Sequence, residues 1–258
     1  MDFIDLKKQQ KLIRNNIDDR ISKVLNHGQY ILGPEVKELE NKLSLFSKSK
    51  YVLCCSSGTD ALLLGLISLG LKPNDGVIVP SFTFASTAEA VCMLGGAPFF
   101  SDVNIDTFNI CEKSVLNCIA NAKKQGITIK GIISVGLFGQ PCDIDNIIEI
   151  ANAHKLWVLD DAAQSFGSSY KNKISGNLCD ISATSFFPAK PLGCYGDGGA
   201  LFTNNENYYR FINTNDLEKY KTKTTTHPKI QETSSLILFK CYFNNKFNNS
   251  TGFVSLRA

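Results

Sequence analysis

The stretch Ser185–Ala200, SFFPAKPLGCYGDGGA, holds one amine, Lys190, between two prolines and ahead of a glycine-rich run. Such a segment makes neither regular helix nor strand, because proline fixes φ and removes a donor while glycine leaves the backbone free. Phe186, Phe187 and Tyr195 flank it, so partial loss of hydration is expected, which suits an amine that forms Schiff bases. A surface lysine in an ordinary turn is the other reading. Upstream, the apolar run LWVLDDA contains two carboxylates, Asp160 and Asp161. A carboxylate at a strand end can cap a helix, ligate magnesium, or hold a proton on a heteroaromatic nitrogen. Earlier still, SSGTDALLLGL sets Gly58 and Thr59 where a strand turns into a helix. Free backbone N–H groups and the helix dipole favour an anion such as a phosphate there. The same residues also read as a helix N-cap made by Ser57 or Thr59.

Neither GxxxxGK[ST] nor a strand-following GxGxxG occurs, so the loops of P-loop and Rossmann nucleotide chemistry are absent. A phosphate cradle, a carboxylate on a strand end and an activated lysine are together what pyridoxal 5′-phosphate requires. That cofactor is held by its phosphate, protonated at its ring nitrogen and joined through its aldehyde.

These groups need a scaffold, and the chain supplies strands and helices in turn. Leu6, Ile13, Ile17, Ile21 and Leu25 recur at helical spacing, and EVKELENKLSLF resumes that pattern after NHGQYILGPE breaks it. Strands are then expected at YVLCCS, GVIVPS, APFFSDV, GIISVGLF and LWVLDDA, with helices at GTDALLLGLISLG, ASTAEAVCMLG and DIDNIIEIANAHK. Alternation of this kind implies an α/β fold with a mostly parallel sheet covered on both faces, whose ligands sit at the carboxyl ends of the strands.

Composition agrees with this reading. At 258 residues and 43% hydrophobic, the chain can bury a sizeable core. The opening MDFIDLKKQQ has no apolar signal region, and runs such as ALLLGLISLG are too short for a bilayer span. The nine cysteines form no CxxC pair and show no zinc-ligand spacing, so they read as reduced thiols of a cytoplasmic protein. The net charge of +3 comes from residues 210–258, where 8 Lys/Arg face 3 Asp/Glu. That tail lacks the aromatic interleaving of a nucleic-acid site, and neither nucleic acid nor membrane is expected as a partner.

In IDLKKQQ, HGQYILGPEV, SSGTDALLLGL, VPSFTFASTAEAV, LFGQPCDID, DDAAQSFG and SFFPAKPLGCYGDGGALFTN, in that order, the chain resembles the DegT/DnrJ/EryC1/StrS sugar aminotransferases. These are pyridoxal-phosphate enzymes of fold type I, and the resemblance runs from residue 2 to about 210. It implies that Lys190 carries the cofactor and Asp161 faces the pyridinium nitrogen. It further implies that Gln164 bonds the phenolic oxygen, that Gly58, Thr59 and Ser185 hold the phosphate, and that Phe84 stacks on the ring. Related sugar dehydratases replace the lysine with histidine, so Lys190 favours transamination. Within the family the motifs look most like enzymes that aminate UDP-2-acetamido-2-deoxy-3-keto-glucuronate for surface polysaccharide such as O-antigen. Their amino donor is glutamate, and they act as homodimers. Enzymes acting on dTDP-keto-6-deoxyhexoses are the alternative.

From about residue 211 the likeness stops. KTKTTTHPKIQETSS and NNKFNNSTG read as low-complexity sequence. Residues 1–210 are therefore expected to be the cofactor-binding large domain and 211–258 an aberrant, poorly ordered tail in place of a C-terminal small domain. Read two nucleotides out of phase, codons for Lys229–Glu232 permit Asn-Ser-Arg and those for Ser235–Lys240 permit Val-Asp-Thr-Leu-Gln, as in family members. A frameshift between about Arg210 and Thr222 is the hypothesis, and a gene whose codons do not spell those segments would refute it. Loss of the small domain would leave a truncated, non-catalytic remnant as the competing reading.

Overall fold

The computed structural model describes residues 4–213. The expected tail and its frameshift lie outside the described residues except for positions 211–213. Helix α1 (Leu6–His27) is capped by Asp5, whose side chain accepts from Lys8 N, and stops at Gly28 in the left-handed region at φ 69°. Helix α2 (Pro34–Ser47) starts with proline at its first position, where no N–H is needed. The Arg20 guanidinium bridges to the Glu38 carboxylate and ties α1 to α2.

Among the described residues, seven strands form the main sheet: β1 (Tyr51–Cys55), β2 (Gly76–Pro80), β3 (Ala97–Ser101), β4 (Ile129–Val135), β5 (Trp157–Asp161), β8 (Ile181–Ser185) and β9 (Gly199–Thr203). A separate hairpin holds β6 (Ser169–Tyr170) and β7 (Lys173–Ile174). The order across the main sheet is β1-β9-β8-β5-β4-β2-β3. Strand β9 runs opposite to the other six, so the sheet is mostly parallel, as the sequence implied.

One face carries α3 (Gly58–Ser68), α4 (Ser86–Met93) and α7 (Glu206–Asn213) over Val77, Val79, Ile133, Leu159, Ile181 and Leu201. The opposite face carries α5 (Glu112–Lys124) and α6 (Ile144–His154) over Ile78, Ile132 and Val158, and α2 over Val52, Phe186 and Phe202. Alternate residues of one strand thus enter opposite cores, which is why the strands read as continuous apolar runs.

One expected strand is shorter, and several elements go beyond the expectation. GIISVGLF is strand only to Val135, because Leu137–Gly139 forms a 3₁₀ turn in which Phe138 takes φ 56°. Helix α5 and strands β8 and β9 were not foreseen. Helix α7 carries ordered structure to Asn213, with Ile212 buried against α3, three residues past the expected domain boundary.

Candidate active site

Parallel strands that end at one edge deliver their following loops to one place. Strand β1 ends at Cys55, and the chain turns into α3 through Ser56 and Ser57. Ser57 is the N-cap: its hydroxyl oxygen accepts from Asp60 N at 3.1 Å, and its own proton goes to the Asp60 carboxylate at 2.8 Å. Gly58 and Thr59 thus occupy the first turn, where backbone N–H groups lack intrahelical acceptors.

Two backbones crowd this turn. A Cβ on Gly58 would lie 2.6 Å from the Ser185 Cβ at the end of β8 and 3.2 Å from its Oγ. A Cβ on Gly199 would lie 2.3 Å from the Ser57 carbonyl oxygen and 2.8 Å from Gly58 N. Glycine at 58 and 199 therefore lets the start of α3 pack directly on the end of β8 and the start of β9, which brings the first-turn amides of α3 close to the Ser185 side chain.

Strand β5 brings Asp160 and Asp161 to the same edge, and alternation sends them to opposite faces. Asp161 lies on the α3/α4 side. Its Oδ2 accepts from the Thr87 hydroxyl at 2.9 Å and its Oδ1 from Ala163 N at 3.2 Å. Burial raises the Asp161 carboxyl above the ordinary carboxylate range, while Thr87, Ala163 N–H and the nearby Lys190 charge pull it down. Asp160, on the other side, accepts from the Ser134 hydroxyl at 3.1 Å. Burial pushes it up to about 7, opposed by Ser134 and reinforced by the charge of Asp161.

Lys190 stands in the loop that joins β8 to β9. Its N–H donates to the Phe187 carbonyl at 2.8 Å, and the loop is tied off by Cys194 N to Phe186 O and Phe186 N to Gly198 O, both 2.7 Å. The side chain is half-buried and faces the Asp161 carboxylate electrostatically. The expected aromatic enclosure is only partly present: Phe186 is fully buried in the α2 core, whereas Phe187 and Tyr195 are 51% and 37% exposed. A proline-broken loop cannot bury all its aromatics because it has no regular face to present to a core.

Gln164 follows β5 and accepts through Oε1 from Phe138 N at 3.2 Å. Phe84 lies in the turn before α4 and is 67% exposed. The structure thus draws Gly58 and Ser185 into one contact and Lys190 toward Asp161, and it joins Phe84 to them through Thr87, whose N–H donates to the Phe84 carbonyl at 3.2 Å. Thr87 is the participant that sequence reading missed. It lay within the quoted VPSFTFASTAEAV, but a hydroxyl near a helix start reads as ordinary helix sequence. An open cavity of about 380 Å³, lined by residues that include Ile119, Lys123, Ile127 and His154, lies at the opposite ends of β4 and β5 and contains none of these groups. No helix among the described residues is long and apolar enough to cross a membrane.

The chain is 50% identical over 206 residues to a UDP-2-acetamido-2-deoxy-3-oxo-D-glucuronate aminotransferase of Pseudomonas aeruginosa, covering 80% of this chain and 56% of that protein. A DegT DnrJ EryC1 StrS aminotransferase structure from Brucella abortus superposes with TM-score 0.82 at 40% identity, covering 92% of this chain and 66% of that one. NtdA of Bacillus subtilis with bound cofactor PMP superposes with TM-score 0.77 at 30% identity, covering 92% and 55% respectively. The chain therefore spans little more than half of the curated relative it matches. Its architecture is that of the large domain of the fold type I pyridoxal-phosphate transferases. Matched by the family's sequence model over residues 11–242, the chain belongs to the DegT/DnrJ/EryC1/StrS aminotransferase family.

Proposed function

We propose that this site binds pyridoxal 5′-phosphate and serves transfer of an amino group from glutamate to a nucleotide-linked keto-sugar. UDP-2-acetamido-2-deoxy-3-keto-glucuronate is the favoured acceptor, on the strength of the likeness to the Pseudomonas enzyme. The observation that carries the reading is the convergence of Lys190, Asp161 and the Gly58–Ser185 contact on one sheet edge.

The residues fit the cofactor. The first-turn amides of α3, held beside the Ser185 side chain by the close contact at Gly58, suit a phosphate. A buried carboxylate suits a protonated ring nitrogen, and a half-buried amine suits an aldehyde. When bound, the cofactor supplies an electron sink for charge developing at the substrate carbon.

The remaining work falls to the chain. Gly58, Thr59 and Ser185 would hold the phosphate, and Phe84 would stack on the ring. Asp161 would hold the proton on the ring nitrogen. Gln164 spends its oxygen on Phe138 N, which leaves its NH₂ to donate to the phenolic oxygen. Lys190 would carry the cofactor and, once the amino donor displaces it, move a proton between the donor Cα and the cofactor's C4′ carbon.

Two further readings belong with this one. A homodimer is supported by the family membership and by the exposed ring cluster of Phe82, Phe108 and Phe138, with centroids 5.8–6.4 Å apart. A cytoplasmic setting is supported by the free thiols of the described residues. Sedimentation would test the first, and fractionation of cells the second.

The central test is the visible absorbance of the purified chain mixed with pyridoxal phosphate, compared with Lys190→Ala. A yellow band that requires Lys190 is expected, followed by conversion of glutamate to 2-oxoglutarate when a 3-keto sugar nucleotide is added. Equal spectra for the two proteins would overturn the reading.

A further inference from the structure

We propose that Thr87 is the positioning residue that holds the Asp161 carboxylate ionised and aimed, and that it couples the Phe84 wall of the site to that carboxylate. The proposal rests on the reading of Asp161 as the partner of the cofactor's ring nitrogen.

Asp161 is gripped from two sides. The Ala163 amide on Oδ1 comes from two residues along and moves with Asp161 itself. The Thr87 hydroxyl on Oδ2 comes from 74 residues away, on α4, so it alone of the two fixes the carboxylate relative to the rest of the site. Thr87 is fully buried, so this bond is not exchanged for water. Its backbone N–H donates to the Phe84 carbonyl, so one helical turn links the exposed ring to the buried carboxylate.

The direction of the hydroxyl chain follows from valence. An ionised carboxylate only accepts, so the single Thr87 proton must go to Asp161. Thr83 Oγ1, 3.3 Å from Thr87 Oγ1, must then donate to Thr87. Donors thus run inward from the loop between β2 and α4 and end on Asp161.

Two charged groups bear on Asp161. Lys190 favours its ionised form, while the buried carboxyl of its neighbour Asp160 is coupled to it as a like charge. Lys190 is the amine assigned to the cofactor's aldehyde and is not a permanent counter-charge. The donors that stay with Asp161 throughout are Thr87 and the Ala163 amide. Burial alone drives the carboxyl toward its neutral form, so loss of Thr87 removes the fixed donor that arrives from outside the strand.

The experiment follows the Asp161 carboxyl by ¹³C NMR in the chain without cofactor, with Asp161→Asn to assign the signal. Thr87→Val is expected to raise its titration midpoint, and Thr87→Ser to leave it near that of the parent. Circular dichroism checks that the fold is retained. If Thr87→Val does not fold, Thr87→Ser against Thr87→Cys asks the same question, since they differ by one atom and a thiol is a weak donor. An unchanged midpoint in a folded Thr87→Val, or in Thr87→Cys relative to Thr87→Ser, overturns the proposal. With pyridoxal phosphate added, Thr87→Val is expected to weaken binding by roughly tenfold. If no variant, and not the parent either, shows Lys190-dependent absorbance, the cofactor reading fails, while the Thr87–Asp161 coupling is still decided by the titration.

Discussion

The Ser134 hydroxyl donates to Asp160 Oδ1 across 3.1 Å, and the two residues are register partners on neighbouring strands. Asp160 is 2% exposed, and its carboxyl is pushed up to about 7 chiefly by burial. A carboxyl whose folded value lies above its unfolded one binds protons more tightly when folded. The contribution of this group to stability is therefore greatest below the ordinary aspartate range and falls as pH rises toward about 7. Asp160→Asn keeps the oxygen for Ser134 and removes the titration. Thermal unfolding should show the variant more stable than the parent at pH 8 by a few kcal/mol, since each tenfold change in proton affinity corresponds to about 1.4 kcal/mol. The gap should close toward pH 4; one that is constant with pH would place the effect in packing.

Gly58→Ala should damage stability and binding together. Its Cβ would sit 2.6 Å from the Ser185 Cβ, so β8 and α3 must separate. A loss of about 1–3 kcal/mol in urea unfolding is expected, with pyridoxal phosphate affinity reduced by about tenfold or more. Adding Ser185→Gly should restore part of the stability but not the affinity, because it removes the hydroxyl that the phosphate would use.

Gly131→Ala tests the core without touching the site. Gly131 and Trp157 are register partners, and a Cβ on Gly131 would fall 2.0 Å from the Trp157 ring. Displacing that ring should cost about 1–3 kcal/mol. Trp157 is the only tryptophan, so its fluorescence reports the displacement directly. An unshifted emission maximum with full stability would contradict the packing described above.

Thiol chemistry should follow burial. Cys92 is exposed, whereas burial raises the thiols of Cys55 and Cys142, the latter to about 12. An aromatic disulfide reagent at pH 8 should label Cys92 within minutes and reach Cys55 and Cys142 only after denaturation. Mass spectrometry of the labelled peptides decides this.

The strands read from sequence were those with large apolar side chains, such as GVIVP and WVLDD, because burial on both faces leaves a continuous apolar run. Strand β8 was hidden because ISATS has one large apolar residue among small ones, and the Thr184 hydroxyl is buried by donating to the Ala162 carbonyl 22 residues away, a partner that only the fold supplies. Helix α5 was hidden for a related reason: its buried positions are Val115, Cys118 and Ala122, a stripe too small in volume to stand out. Lys190, Asp161 and Gly58 were legible because each departs from what its local structure requires. Thr87 departs from nothing locally, and only the fold shows what its hydroxyl meets.

Strand β9 is antiparallel to β8, with Ser185 opposite Gly199, so the segment bearing Lys190 begins and ends on the same pair of hydrogen-bonded strands. Closing that short hairpin costs little chain entropy, whereas bringing Thr87 to Asp161 closes 74 residues. During refolding the lysine should therefore be presented in a finished turn before the carboxylate that complements it is in place. Regain of Lys190-dependent colour would then be a late event, and hydrogen-exchange pulse labelling should find the β8–β9 amides protected ahead of it. In this chain, capture of the cofactor would mark the completion of folding.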